Sequence, residues 1–281
     1  PESAPVKILI RTPNWLGDMV MQADLSALLE AFPESQVDLI VKSGFEKIPL
    51  PQRGQIIPFD SKKETAGNFG KTLRDENYDY FYVLPPSFSA AWMAHKAKYR
   101  TGSANPENSE FSAEFGKKAG GYTTLTTLTQ RVPEFIGTRD FYRKISSATK
   151  ITHEWVEKQL GSLEISLPES FFVFTPGLFL AGKTVASKTF CTLATLLHNV
   201  FGDPILILGT EADVKSGAEI SLGLDFVQNY CGQTSLSELL AILAKSKLLV
   251  GNDSGSMHLM SALQRPQIAI FGSTSPDWTA P

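Results

Sequence analysis

Residues 6–21 are VKILIRTPNWLGDMVM, and residues 37–42 are VDLIVK. The first stretch opens with an apolar, β-branched run, and the second is another, as is typical of buried strands. Between them, from about Gly17 to Phe32, apolar side chains recur at helical spacing. A strand, a helix-length crossover and a second strand make a βαβ unit, which predicts a parallel sheet. We therefore expect the chain to begin with an α/β domain.

The alternation of strands and helices occurs in two separate series along the chain. The first series continues with strands at 56–59 and 80–84, and a polar helical stretch follows at 152–160. The second series comprises strands at 171–175, 204–208, 247–251 and 267–271, with helices at 190–200, 236–245 and 256–263. This restart predicts two Rossmann-like domains facing each other across a cleft, residues 1–168 and residues 169–281.

Bulk composition narrows the class of protein. The 281 residues are 42% hydrophobic and 20% charged, which suits two globular domains rather than a disordered chain. The net charge of −3 does not favour a nucleic-acid binder. The two cysteines form no CxxC pair, which suits a reducing cytoplasm, and the four scattered histidines predict no metal site. Because no signal peptide or spanning segment is visible, any membrane contact is expected to be peripheral.

The first candidate site is the loop after the first strand, because open parallel sheets bind ligands beyond the carboxyl ends of their strands. Gly17 permits a tight strand-to-helix turn, and Asp18 follows at the start of the helix. A carboxylate in this place can act as a general base toward a substrate hydroxyl. It can equally cap the helix, which is a common use of aspartate.

The second candidate site is GNDSGSMHLM at residues 251–260, where a strand gives way to a helix. Ser254 and Gly255 are small, so backbone N–H groups at the helix start are exposed to a phosphate. Asp253 and His258 lie on either side and can contact the same ligand. Alternatively, Asp253 is a helix cap and His258 is a histidine packed against the sheet.

Two further segments carry positive charge. Thr175-Pro-Gly177 ends a predicted strand, and Lys183 follows after a glycine-containing loop, where it can neutralise a diphosphate or remain a solvated surface lysine. Residues 87–102 include Lys98 and Arg100, which can meet an anionic acceptor or belong to a solvated helix face.

Two nucleotide-binding patterns are absent. TAGNFGKT at residues 65–72 is similar to a P-loop, but Thr65 stands where that motif requires glycine. No GxGxxG sequence follows the first strand, which argues against a nicotinamide-dependent dehydrogenase. We therefore expect neither an NTPase nor a dehydrogenase.

The two candidate sites together resemble a known family. NWLGDMVM at 14–21, preceded by ILIRT and followed by ALLEAFP at 27–33, is similar to the N-terminal signature of the ADP-heptose:lipopolysaccharide heptosyltransferases, glycosyltransferase family 9. NDSGSMHLMSAL at 252–263, followed by RPQIAIFGSTSPDWTAP at 265–281, resembles the C-terminal signature of that family. Two long motifs in the right order make the resemblance specific.

The resemblance implies a GT-B type of fold, with the acceptor mainly on the first domain and the nucleotide sugar mainly on the second. It implies inverting transfer of a manno-heptose from ADP-heptose to the lipopolysaccharide inner core (Kdo and heptose on lipid A). The subtype it resembles most is heptosyltransferase II, which adds the second heptose. It also implies no metal or other cofactor, and a cytoplasmic enzyme with peripheral contact to the inner membrane.

Residues are carried over from the family motifs by position. Asp18 corresponds to the catalytic base. The residues that correspond to donor-binding positions are Lys183, Asp213, Thr234, Asp253, Ser254, Gly255 and His258. The acceptor-binding candidates are not carried over in this way but come from the loop after the first strand and from residues 87–102; they are Asn14, Trp15, Lys98 and Arg100. Val185-Ala186 replaces the usual tryptophan-proline after the donor lysine, and the sequence stops before the C-terminal helices of the family.

Two alternatives remain open from the sequence. One is a family-9 transferase with another sugar or acceptor. The other is a catalytically silent module that binds a nucleotide or a glycan, which the altered segment around Lys183 suggests.

Overall fold

The chain forms two parallel sheets with helices packed beside them. The computed structural model describes residues 6–21, 33–48, 50, 53–83, 88–97, 153–177, 185–274 and 276. The chain divides into two compact units, Pro1–Lys144 and Ile145–Pro281.

The first unit contains a four-stranded sheet with the order β3-β2-β1-β4, all strands parallel. Its strands are β1 (Lys7–Arg11), β2 (Gln36–Lys42), β3 (Ile56–Phe59) and β4 (Tyr80–Val83). The helices described beside it are α1 (Leu16–Met21), α2 (Ala66–Thr72) and α3 (Phe88–Ala97). The inner residues of β1 and β2 are fully buried, which places these strands at the centre of the core.

The second unit contains a five-stranded parallel sheet with the order β7-β6-β5-β8-β9. Its strands are β5 (Phe172–Thr175), β6 (Ile205–Ile207), β7 (Val227–Asn229), β8 (Leu249–Asn252) and β9 (Gln267–Ile270). Its helices are α4 (His153–Leu160), α5 (Ser187–Phe201), α6 (Val214–Ser221), α7 (Leu236–Lys245) and α8 (Gly255–Ala262). Every residue of β5, β6 and β8 is buried, because helices cover both faces of such a sheet.

The strands predicted from apolar runs are confirmed within one or two residues at each end. The predicted helix from about Gly17 to Phe32 is described only as far as Met21, and the rest lies outside the described residues. Helix α6 and strand β7 were not predicted. Strand β7 has three residues, VQN, of which one is buried, so its sequence lacks the apolar run that marks the others.

The P-loop-like segment is helix α2, and its glycines have a packing function. A side chain on Gly70 would place its Cβ 2.2 Å from the backbone oxygen of Met93, and one on Gly67 would lie 2.8 Å from Nε1 of Trp92. Both contacted residues belong to α3. The glycines therefore let α2 and α3 approach closely.

Helix α4 packs within the second unit. Val156 is buried, and Nζ of Lys245 in α7 lies 2.5 Å from Oε1 of Glu157. The hydrogen bond from Lys245 lowers the pKa of Glu157. The division of the structure between Lys144 and Ile145 thus differs from the proposed boundary after residue 168, which assigned this helix to the first domain. An amphipathic helix indicates from its sequence that it packs, but not on which sheet.

Candidate functional site

The second sheet has its topological switch point between β5 and β8. Strands β6 and β7 extend the sheet from one side of β5, whereas β8 and β9 extend it from the other. Loops leaving the carboxyl ends of two such strands diverge and open a crevice, which is where open α/β sheets bind ligands. Both loops that the sequence singled out in this half of the chain start here.

Asn252 joins the two strand ends at the switch point. It is the last residue of β8, is 2% exposed, and its Nδ2 donates to the backbone oxygens of Pro176 and, at 3.3 Å, Gly177. Both carbonyls belong to the turn that follows β5. The amide nitrogen is thus fully hydrogen-bonded to these carbonyls, which fixes the orientation of the amide. Asn252 was quoted in the sequence motif but not proposed as a site residue.

Three polar side-chain atoms at this place are buried and have no hydrogen-bond partner among the described residues. They are Thr175 Oγ1, Asn252 Oδ1 and Ser254 Oγ. Thr175 pairs with Gly251 in the β5–β8 register, and a Cβ on Gly251 would lie 2.2 Å from Thr175 Oγ1. An unsatisfied buried polar atom costs about 1–3 kcal/mol. Several of them at a switch point indicate a surface that is complementary to a polar ligand.

The helix start after β8 differs from the predicted arrangement of caps. Ser254, not Asp253, is the N-cap residue of α8, and the Ser254 side chain makes no capping bond. Asp253 is 9% exposed and accepts a hydrogen bond from Thr274 Oγ1. Gly255 is the first residue of α8, and His258 is 4% exposed within it. The four predicted donor-binding residues of this motif therefore lie together at one helix N-terminus.

Asp213 has a structural use. Its Oδ2 accepts hydrogen bonds of 2.8 Å from both the backbone nitrogen and Oγ1 of Thr210, which caps the 3₁₀ turn Glu211–Asp213 after β6. It is 6% exposed. Thr234, the other predicted residue of this half, is half-buried just before α7.

Glu211 is the exposed carboxylate of the same turn. Its Oε2 would lie 2.4 Å from a Cβ added to Gly232, whose φ of +75° already favours glycine. Gly232 donates from its backbone nitrogen to the oxygen of Gly209 at 3.0 Å. Glu211 thus lies at the carboxyl ends of β6 and β7, the edge of the sheet that bears Asn252. The sequence interpretation missed it, although it is two residues from Asp213.

In the first unit, the predicted residues follow β1. Asn14 is half-buried and accepts a hydrogen bond from Arg11, and Trp15 is 59% exposed. Asp18 is the third residue of α1, so it lies in the first turn rather than at the N-cap.

Three predicted residues, Lys183, Lys98 and Arg100, lie outside the described residues. Across the described parts of both units, no group of three or more His, Cys, Asp or Glu side chains is arranged to hold a metal ion. None of the helices described is both long enough and apolar enough to span a bilayer.

Comparisons with known proteins identify a family and relatives to which this chain is similar. The model for "Glycosyltransferase family 9 (heptosyltransferase)" matches residues 66–281. Lipopolysaccharide heptosyltransferase 2 of Salmonella typhimurium is 28% identical over 308 residues, covering 98% of this chain and 85% of that protein. Its namesake from Escherichia coli K12 is 26% identical with the same two coverages, 98% and 85%.

Among solved structures, the E. coli ADP-heptose lipopolysaccharide heptosyltransferase II has a TM-score of 0.75 to this chain. The identity is 24%, over 98% of this chain and 88% of that structure. This likeness confirms the predicted GT-B type of fold, with its two Rossmann-like units.

Proposed function

The chain belongs to glycosyltransferase family 9, the heptosyltransferases, and from this premise we propose its reaction. It transfers a manno-heptose from ADP-heptose to the lipopolysaccharide inner core with inversion at the anomeric carbon. The relatives named heptosyltransferase 2 favour addition of the second heptose. The acceptor is assigned mainly to the first unit and the donor to the second.

The observation that carries the donor assignment is the switch point of the second sheet. There, the N-terminus of α8 offers the backbone N–H groups of Ser254 and Gly255, and the buried hydroxyls of Thr175 and Ser254 have no partner among the described residues. A helix N-terminus of this kind binds phosphate groups. Asn252 Oδ1 can only accept a hydrogen bond, so it suits a sugar hydroxyl of the donor and not the diphosphate. Lys183, on the segment after β5, adds a positive charge to the same leaving group.

The nucleoside contact is assigned to Glu211 rather than to Asp213. The Asp213 carboxylate is used in capping the turn with Thr210, whereas Glu211 is exposed at the same edge of the sheet. A carboxylate accepts hydrogen bonds from the vicinal hydroxyls of a ribose, as it does in other Rossmann-like sites.

The reaction needs one base and no general acid. Asp18 accepts the proton of the acceptor hydroxyl as its oxygen attacks the anomeric carbon, and the bond to the diphosphate oxygen breaks on the opposite face. The leaving ADP is weakly basic, so it needs charge stabilisation instead of a proton. Lys183 and the N–H groups of Ser254 and Gly255 supply that stabilisation.

The acceptor is linked to a lipid, so the site of action we propose is the cytoplasmic face of the inner membrane, with peripheral contact only. The partners are therefore ADP-heptose, the inner-core acceptor and the membrane surface, without nucleic acid, metal or other cofactor.

The test is mass spectrometry of a reaction that contains ADP-heptose and lipopolysaccharide truncated after its first heptose. Addition of a single heptose mass is the expected result. Parallel reactions offer lipopolysaccharide without heptose, and other nucleotide sugars in place of ADP-heptose. Transfer only to the heptose-free acceptor would overturn the second-heptose assignment, and transfer only of another sugar would replace the donor. Tight ADP-heptose binding with no transfer to either acceptor would indicate a silent binding module.

A further inference from the structure

Arg11, which the proposed function does not use, is a buried cation at the carboxyl end of β1. Its side chain is 3% exposed and lies over the ring of Phe59, 5.6 Å from the ring centroid. Nη1 donates to the backbone oxygens of Thr12 at 2.7 Å and Ile40 at 3.3 Å. These contacts hold the guanidinium in one orientation against the ends of β1 and β2.

The second guanidinium nitrogen fixes the orientation of Asn14. Nη2 of Arg11 donates to Oδ1 of Asn14. A guanidinium has only donors, so the amide must face it with its oxygen, and a flipped amide would bring two donors together. Nδ2 of Asn14 consequently faces away from Arg11. Nδ2 of Asn14 has no hydrogen-bond partner among the described residues. Because it is not among the buried atoms that lack a partner, its N–H groups are open to solvent.

The charge of Arg11 favours an anionic ligand next to the N–H groups of Asn14. Burial lowers the pKa of Arg11 to about 10, so the side chain remains a cation at neutral pH. Within the described parts of the chain, no carboxylate oxygen forms an ion pair with it. A buried cation without a counter-ion creates a positive potential and polarises the amide bonded to it. Both effects favour an oxyanion over a neutral hydroxyl.

We propose that Arg11 and Asn14 form a subsite for an oxyanion of the sugar acceptor, a carboxylate or a phosphate. Asn14 contacts the oxyanion through Nδ2, and Arg11 is a positioning residue that keeps the amide donors turned outward. This inference rests on the proposed function for the placement of the acceptor on the first unit, but not for the identity of the transferred sugar.

Asn14→Asp tests the polarity of the subsite by kinetics. An aspartate still accepts the hydrogen bond from Arg11, so the loop keeps its anchor, but it presents a negative oxygen instead of N–H donors. The acceptor KM should rise about 10- to 100-fold, the loss expected for a hydrogen bond to a charged group. The donor KM should stay within about twofold, because the donor contacts are unchanged.

Thr12→Val is the matched control. Thr12 Oγ1 donates to the same Ile40 oxygen at 3.0 Å and is buried beside Arg11, but it does not touch Asn14. Its loss should lower the melting temperature without changing the acceptor KM. An unchanged acceptor KM in a folded Asn14→Asp variant, or an equal rise in Thr12→Val, would overturn the proposal.

A binding measurement keeps the proposal separate from the transfer reaction. The side-chain amide signal of Asn14 is identified in ¹⁵N spectra by its disappearance in Asn14→Asp. It should shift when delipidated inner-core oligosaccharide is added, and not when ADP-heptose is added alone. Phosphatase-treated and carboxyl-reduced oligosaccharides show which oxyanion is bound, since the shift is lost with the correct group.

The two proposals fail in different ways. A shift of the Asn14 signal in a protein that transfers no heptose would support the subsite and contradict the proposed function. Heptose transfer without a shift, or a shift that persists after both anionic groups are removed, would remove the subsite and leave the proposed function intact.

Discussion

The carboxyl ends of β1 and β8 both carry an asparagine, Asn14 in the loop after β1 and Asn252 as the last residue of β8, but the two amides present opposite halves. In the first loop, Arg11 occupies the oxygen of Asn14, so the N–H donors remain available. At the end of β8, the carbonyls of Pro176 and Gly177 accept hydrogen bonds from the nitrogen of Asn252, and its oxygen has no partner among the described residues. An asparagine at a strand end therefore does not by itself show which ligand group it can bind. The neighbouring groups that hydrogen-bond to one half of the amide determine whether a donor or an acceptor remains available.

The loops differ also in how they carry charge. The first contains the buried cation Arg11 and leads into α1, which carries Asp18. The second leads into the N-terminus of α8, where the Ser254 hydroxyl has no partner among the residues that the structure describes. We interpret the first as the loop that performs proton transfer on the acceptor and the second as the loop that binds the diphosphate. Variants of the two loops test this division.

Asp18→Asn should separate catalysis from binding most clearly. Removal of a positioned base slows the chemical step by about 10²–10⁴-fold. Donor affinity should survive because the donor residues belong to the other loop, and the lost helix-dipole interaction should cost only about 0.3–1 kcal/mol of stability. Turnover, a donor titration and a thermal melt on the one variant provide the test. Near-normal turnover would leave Asp18 with a structural role in the first turn of α1.

Asp253→Ala and Lys183→Ala should weaken ADP-heptose binding and spare acceptor binding. Loss of a charge-assisted hydrogen bond costs about 1.5–3 kcal/mol, or roughly 10- to 100-fold in affinity. Calorimetric titration with ADP-heptose measures the effect. Unchanged donor affinity in both variants would remove them from the donor site and would leave no functional contrast between the two loops.

Glu211 and Asp213 should respond differently although they share one turn. Asp213→Ala removes the cap made with Thr210 and should cost about 0.5–2 kcal/mol of stability. Glu211→Gln keeps the cap and should instead weaken ADP binding, by about 0.5–1.5 kcal/mol. Chemical denaturation and an ADP titration on each variant separate the two roles. If Asp213→Ala lost ADP affinity at full stability, the position carried over from the family would be the better assignment.

Ser254→Ala should produce the smallest effect, and only donor binding should change. Its hydroxyl does not cap α8, so its removal should leave stability unchanged and weaken donor binding by about 0.5–1.5 kcal/mol. Ser235→Ala is the matched control, since Ser235 caps α7 in a full capping box with Glu238. That variant should lose about 0.5–2 kcal/mol of stability and keep its donor affinity. Equal destabilisation of both variants would mean that the Ser254 hydroxyl also acts as a cap.

Much of the fold could be predicted because its strands are short, apolar and buried. ILIR in β1, ILI in β6 and LLVGN around β8 stand out from their polar surroundings. The family predicted from the motifs that follow β1 and β8 is confirmed by the family model. Helix α2 shows the opposite case, because its Gly70 is explained by the backbone of Met93 and its Gly67 by the side chain of Trp92, both distant in sequence.

Local sequence patterns were sufficient for the two parallel α/β series, for the family and for the short stretches that carry the proposed ligand-binding residues. Which atoms within those stretches remain available became evident only in the folded chain. Asn252 is the clearest case, because the turn after β5, which the sheet brings beside it, uses its amide nitrogen. The pairs Thr210–Asp213 and Arg11–Asn14 are local, but the sequence did not show which atoms of Asp213 and Asn14 they use. The physical reason is that strand-forming runs and helix signals are local properties of the chain, whereas the donors and acceptors left unpaired at a strand end depend on which other segments the sheet brings beside it.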